Sequence, residues 1–324
     1  KEANWAPVQE VAVTGGRFDQ SRATFDVGDA VSPRAALRVT GMAERAGSYR
    51  NARSLERVGV NPTAALQLGA TTLRLSAEHF QDRRGTDRGI PSLDGRPLAG
   101  SVRTAFGDPD INRARAYVRS AAVSVDHGDA ATMQFRSQLR FADYDKSYEN
   151  SVPGAVAPDD ATFALTAYRN DTRRRNLFSQ TDVTVRRTHG PLVQTIVAGG
   201  ELARQETDNF RETGYFTGTA TSTRVALDAP TGRQRIDFRQ SASDADATAR
   251  ALIAAGYVQY QGSVGRHLQA IVGARWDRFA LDVDNHRTSV RRSRTDVMFS
   301  PRVGLVLTPQ AALSMYAALS RSSL

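Results

Sequence analysis

Apolar and polar residues alternate one for one along segment after segment of this chain, and that period restricts the folds open to it. Between Ala131 and Phe141, Met133, Phe135, Leu139 and Phe141 fall on one parity, while Thr132, Gln134, Arg136, Gln138 and Arg140 fall on the other. Successive side chains of an extended strand point to opposite faces, so this segment has an apolar side and a polar side. The same division separates Ala35, Leu37 and Val39 from Arg38, Thr40 and Glu44, and Leu73, Leu75 and Ala77 from Arg74, Ser76 and Glu78. It is clearest where Leu268, Ala270, Val272, Ala274 and Trp276 alternate with His267, Gln269, Arg275 and Asp277. A soluble sandwich alternates too.

Two features favour a barrel in lipid. The polar positions carry many arginines, including Arg22, Arg38, Arg74, Arg136, Arg140, Arg186, Arg275 and Arg302. An arginine facing lipid at mid-bilayer costs about 2–4 kcal/mol, so these side chains belong to a wet lumen. The connections also fall into two alternating classes. Tight ones are expected near Gly28–Ser32, Gly69–Thr71, His127–Ala130, His189–Pro191, Gly265–Arg266 and Thr308–Gln310, with longer polar loops between them. Short turns at one rim and long loops at the other are the connection pattern of an outer-membrane barrel. The fold class is therefore all-β, an antiparallel up-and-down transmembrane β-barrel.

Bulk properties agree. No run approaches the ~20 apolar residues of a spanning helix, which excludes a helical membrane protein but not a barrel. There is no cysteine, so disulfides, zinc-thiolate sites and Fe–S clusters are excluded. The net charge of +9 is almost wholly arginine, since lysine occurs only at Lys1 and Lys146. Those arginines are scattered through alternating strands without a basic stripe or recognition helix, which argues against nucleic acid. Lipopolysaccharide phosphates or an anionic ligand suit the charge better.

The pattern places about thirteen strands, near Val8–Gly16, Arg22–Gly28, Arg34–Ala46, Ser54–Leu68, Thr72–Arg84, Ala114–Asp126, Thr132–Tyr144, Phe163–Arg187, Leu192–Glu206, Ala251–Val264, His267–Asp284, Thr295–Leu307 and Ala311–Ser323. Gly85–Arg113 and Asp208–Arg250 read as loops by composition. The Ala-rich stretch Asp244–Ala255 admits a short helix or a strand from Ala249 onward. No internal repeat of fixed period occurs.

Several segments carry specific residues as well as alternation. They are Arg88-Gly89-Ile90-Pro91-Ser92-Leu93-Asp94-Gly95-Arg96-Pro97 followed by Phe106-Gly107-Asp108-Pro109; Asp143-Tyr144, Tyr148-Glu149-Asn150 and Pro153-Gly154; Asn176 to Asp182; Gly199 to Leu202; and Asp208 to Arg211. Gly273 to Phe279, Ser300 to Leu305 and Leu313 to Ala317 continue the series. In order and spacing these resemble the barrel of the TonB-dependent receptors, particularly the ferric-siderophore branch.

The resemblance implies a closed cylinder of about 22 strands, of which residues 1–324 would be the N-terminal part. The plug domain and its TonB-contacting energy-coupling box would precede Lys1, and roughly nine strands would follow Leu324. The chain opens without an initiator Met or signal peptide and stops in mid-pattern, which fits a piece of a longer protein. Tyr260 stands where relatives often carry an acidic residue.

No catalytic constellation is found: there is no Gly-x-Ser-x-Gly elbow, phosphate-cradling loop, His-Glu-x-x-His or EF-hand ladder. His79, His127, His189, His267 and His286 lack ligand spacing, and pairs such as Asp126 with His127 or Asp284 with His286 read as solvated polar residues. The expectation is a receptor, not an enzyme, that takes up ferric siderophores with energy from the TonB complex. It would hold no resident cofactor, the iron arriving inside its ligand, and would lie among lipopolysaccharide and outer-membrane lipid. Receptors for cobalamin, haem or an oligosaccharide, or a passive porin-like channel, are the alternatives.

Candidate ligand contacts are Arg83, Arg84 and Arg88, which meet anionic chelates by charge-assisted hydrogen bonds. Tyr144, Tyr148, Phe210, Arg211, Tyr215 and Phe216 add flat surfaces and charge. Each also reads as a rim or loop-packing residue. The run Arg173-Arg174-Arg175 stands at the lumen entrance or on a solvated face, and Trp276 belongs to an aromatic girdle.

Overall fold

The computed structural model describes residues 1–322 apart from 52, 101, 159 and 160. The first strands are β1 (Val8–Gly16), β2 (Gln20–Ser32), β3 (Ala35–Ala46), β4 (Leu55–Leu68) and β5 (Thr71–Gly85). A small hairpin follows, β6 (Ser92–Leu93) and β7 (Arg96–Pro97), and then β8 (Arg113–Asp129), β9 (Met133–Val156), β10 (Thr162–His189) and β11 (Leu192–Tyr215). Two short strands, β12 (Ser222–Ala226) and β13 (Asp237–Arg239), precede β14 (Asp246–Val264), β15 (Leu268–Asn285), β16 (Val290–Gln310) and β17 (Leu313–Ser320).

Thirteen of these strands form one antiparallel meander in chain order, each hydrogen-bonded to the next. They correspond one for one to the strands read from the sequence. The four short strands arise inside the two loops that composition alone had marked. Of these, β12 continues the sheet beside β10, and β13 continues it beside β11. The sheet is not closed: among the described residues β1 pairs only with β2, and β17 only with β16.

The six tight connections read from the sequence lie at one rim, while the other rim carries the longer connections and also the three-residue turn between β1 and β2. Gly69, Gly190 and Gly265 have φ of 60°, 55° and 52° in the tight connections, a left-handed conformation that costs glycine least. The first tight turn, however, is Pro33–Arg34 and not Gly28–Ser32. Gly28 serves the strand instead, because a Cβ there would stand 2.8 Å from the Arg38 side chain. His127 likewise lies within β8, its Nδ1 2.8 Å from the Thr71 hydroxyl.

At the other rim the strands run further than their composition indicates. β9, β10 and β11 have 24, 28 and 24 residues, against a usual strand of about 5–6. Tyr148 to Gly154 are strand rather than loop, and the Asp244–Ala255 stretch is β14 from Asp246 onward, with no helix. Proline and glycine at 153 and 154 are accommodated at the end of a strand, where Phe163 and Leu165 shift register.

The apolar parity has no second layer over it. Cross-strand registers set Leu66 beside Leu73, Val123 beside Leu139, Phe141 beside Leu177 and Trp276 beside Phe299, so the apolar positions form one continuous outer belt. Leu75, Val272 and Phe299 are 50%, 53% and 57% exposed. On β15 the belt runs from Leu268 to Trp276, matching the ~9–11 residues with which a strand crosses a bilayer. Above it the outer parity turns charged, with Arg119, Arg175, Arg204 and Arg278 the next outward residues on β8, β10, β11 and β15.

The inner face is held by matched ions. Asp26 joins Lys1 and Arg38 at 2.6 and 2.7 Å. Asp82 joins Arg57 at 2.8 Å and also Arg84, and Asp126 joins Arg136 and Arg74. Arg275 reaches Glu201 at 2.6 Å and Asp277 at 2.9 Å. Of the eight arginines that alternation assigned to a lumen, Arg22, Arg38, Arg74, Arg136, Arg140 and Arg275 therefore face carboxylates on the inner wall, and Arg302 meets the Gln259 amide oxygen.

Candidate functional site

The long strands carry the polar inner face well past the apolar belt, and near the loop rim this wall changes character. Register places Tyr144 opposite Arg174, Lys146 opposite Thr172 and Tyr148 opposite Asn170 on β9 and β10. Asn170 in turn stands opposite Arg211 on β11. These residues share the inward parity, as does Tyr168.

The aromatic members make a defined cluster. Tyr148 and Tyr168 meet edge to face, with centroids 5.8 Å apart and planes at 87°. Arg88, descending from the loop after β5, lies 5.8 Å from the Tyr148 ring and 5.7 Å from the Tyr168 ring. Arg211 stacks closer, 4.4 Å from the Tyr168 centroid. A cation over a ring contributes roughly 0.5–1 kcal/mol when exposed and about 2 when desolvated. The cluster is thus held together by ring–cation contacts among its own members.

Arg211 is also fixed from the loop side. Its Nε donates to Asp244 Oδ1 at 3.1 Å, and Asp244 accepts from the Thr213 hydroxyl and the Ser241 amide, each at 2.8 Å. Burial pushes the Asp244 carboxyl up, but these donors outweigh it and hold the group below the usual carboxylate range.

Of the residues selected from sequence, Arg88, Tyr148 and Arg211 are brought together, and Tyr144 stands lower on the same wall. Tyr215 lies nearer the rim under Arg239, 4.1 Å away. Phe216 packs against the loop core of Phe106, Phe163, Leu165 and Val225. Arg84 is bound to Asp82 on the inner wall, whereas Arg83 takes the outward parity and donates to Tyr117 at 3.0 Å. Phe210 also takes the outward parity.

The run at 173–175 divides the same way: Arg174 turns inward, and Arg173 and Arg175 turn outward toward Asp145 and Asp143. Sequence reading missed Tyr168 and Lys146. Each follows from counting parity two residues at a time up β10 and β9, once those strands are known to be long. His286, two residues from Asp284 in sequence, pairs instead with Asp246 at 3.0 Å. Among the described residues no group of three His, Asp or Glu side chains is placed to hold a metal ion.

The fold has close structural relatives. The chain is similar to the siderophore receptor PiuA from Acinetobacter baumannii, with a TM-score of 0.84, 18% identity, and coverage of 98% of this chain and 49% of that one. For the open form of the ferric-catecholate import receptor Fiu from E. coli K12 the values are 0.82, 19%, 99% and 55%. For the outer-membrane receptor FpvA from Pseudomonas aeruginosa PAO1, bound to pyoverdine, they are 0.81, 16%, 98% and 46%. The chain thus spans about half the length of these receptors. No curated protein sequence matches it. The family profile described as "TonB dependent receptor-like, beta-barrel" matches residues 59–323, and by that match the chain belongs to the TonB-dependent receptor β-barrel family.

Proposed function

We propose that this chain is part of the barrel of an outer-membrane receptor that imports ferric siderophores. The tight-turn rim faces the periplasm, the apolar belt lies in the bilayer, and the loop rim with its tyrosine and arginine cluster faces the medium. Ligand binds there, on the inward wall of β9 to β11 and on the loops. A plug domain within the cylinder and the TonB complex, drawing on the inner-membrane proton gradient, open the path.

The barrel performs no covalent chemistry and carries no resident cofactor; iron enters as cargo. Its lipid-exposed wall meets outer-membrane acyl chains, and the outward arginines above the belt, Arg83 and Arg119 among them, stand at the level of lipopolysaccharide phosphates.

One observation carries the reading: above the apolar belt, at the rim where a captured ligand arrives, the inward wall gathers Arg88, Tyr148, Tyr168 and Arg211 into one cluster. Family membership and the likeness to siderophore receptors support it. Growth of a deletion strain under iron limitation, fed single ferric siderophores in turn, tests it. Loss of growth on at least one chelate, restored by the intact gene, is expected. Unaltered use of every ferric chelate contradicts it.

A further inference from the structure

Charge is sorted across the upper sheet. On β9, β10 and β11 above the apolar belt, Asp143, Asp145, Glu149, Asp171, Glu206, Asp208 and Glu212 all occupy the outward parity. The inward parity of the same stretches carries Lys146, Arg174 and Arg211 and no carboxylate. On the flanking strands, the facing inward residues of β8 are Ala114, Ala116 and Val118, and those of β14 are Ala247, Ala249 and Ala251. Neither flanking strand presents an acid inward at this level, and the next one along the wall, Asp82 on β5, is already bound to Arg57 and Arg84.

The partners of these cations point the same way. Lys146 is exposed and has no ion-pair partner among the described residues. The inner-wall contact of Arg174 is a neutral one, Nε donating to the Thr207 hydroxyl at 3.1 Å. Arg88 rests on two tyrosine rings. Only Arg211 meets a carboxylate, Asp244. Elsewhere on the inner wall, Arg38, Arg57, Arg136 and Arg275 each have an acidic partner within 3 Å, whereas Arg302 donates to the Gln259 amide oxygen. An upper wall of β9 to β11 that leaves Lys146 and Arg174 without carboxylate partners among the described residues, beside Tyr144, Tyr148 and Tyr168, has the composition of a site for a multiply charged aromatic anion.

We infer that the cargo is an anionic aryl chelate, such as a trianionic ferric tris-catecholate, in preference to a neutral hydroxamate complex. This rests on the importer reading above and adds the substrate class. Lys146 and Arg174 supply charge, and Tyr148 and Tyr168 supply the aromatic surface.

The test uses the full-length receptor in detergent and three probes: a ferric tris-catecholate, the anionic but non-aromatic ferric citrate, and a neutral ferric trihydroxamate. The tris-catecholate is expected to bind at least about tenfold more tightly than the trihydroxamate, with an affinity that falls as salt rises. Lys146→Gln and Arg174→Gln are each expected to weaken it about tenfold and to flatten the salt dependence. Ferric citrate in an intermediate position assigns the remainder to the rings. Equal or tighter binding of the neutral chelate, or binding insensitive to salt and to both substitutions, overturns the inference while leaving the importer intact. Failure of all three chelates to bind overturns the importer reading itself.

Discussion

Single residues at the loop rim do two separable jobs. Tyr168 is the ring that both Arg88 and Arg211 use, so its loss releases two cations at once. Tyr168→Ala is expected to weaken ferric-chelate binding about tenfold, the equivalent of roughly 1–2 kcal/mol of ring–cation contact, as read by fluorescence quenching titration. Tyr168→Phe keeps the ring face and should restore most of the affinity.

Asp244 instead ties the loop at 216–245 to β11. Its folded carboxyl titrates below the ordinary value, so its stabilisation is complete above the unfolded value of about 3.9 and is lost as the pH falls through the lower folded one. Limited proteolysis of that loop should be constant from neutral pH down to about 5 and accelerate only below about 4. Asp244→Asn should raise the cleavage rate at neutral pH roughly 5–30-fold, as the loss of one to two kcal/mol requires.

At the scale of the strand, parity governs what a substitution costs. Leu139 and Gln138 are neighbours on β9, one 45% exposed on the apolar belt and the other on the inner wall. Leu139→Arg should lose about 2–4 kcal/mol of membrane stability and abolish heat-modifiable migration in gels, whereas Gln138→Arg should assemble normally. That parity was readable from the amino-acid order, because burial between lipid and water acts on every second residue and leaves its mark locally.

Strand ends were not readable in the same way. Beyond the belt, water and protein replace lipid on the outer side, and the apolar residues change face: on β15 Trp276 points outward, but Phe279, Leu281 and Val283 point inward. Tyr148 and Asn150 therefore looked like loop, and Lys146 and Tyr168 went unnoticed as wall residues. Which of Arg83, Arg84 and Arg88 enters the lumen also depended on knowing where β5 stops. Phe216 is a loop-core residue because Phe106, Phe163 and Val225 come together from three distant segments, a convergence no local pattern carries.

For the whole molecule, the proposed importer requires a closed cylinder, and the edges of β1 and β17, unpaired among the described residues, are where it predicts further strands, since exposed edges otherwise invite aggregation. Residues 1–324 expressed alone are therefore expected to form detergent-soluble aggregates, whereas the full-length receptor should elute as one species in size-exclusion chromatography. In intact cells an impermeant maleimide should label cysteines placed in the 216–245 loop and spare those placed at Gly69 or Gly190.

The account stands on the direction in which β15 presents its side chains, and site-directed spin labelling of the reconstituted full-length receptor measures that directly. Labels stepped one residue at a time from Leu268 to Asp277 should show oxygen accessibility peaking at Val272, Ala274 and Trp276 and accessibility to a water-soluble nickel chelate peaking at Gly273, Arg275 and Asp277, with a period of two. Low accessibility to both reagents on the apolar parity would mean that protein covers that face, contradicting the membrane barrel and the import function built on it.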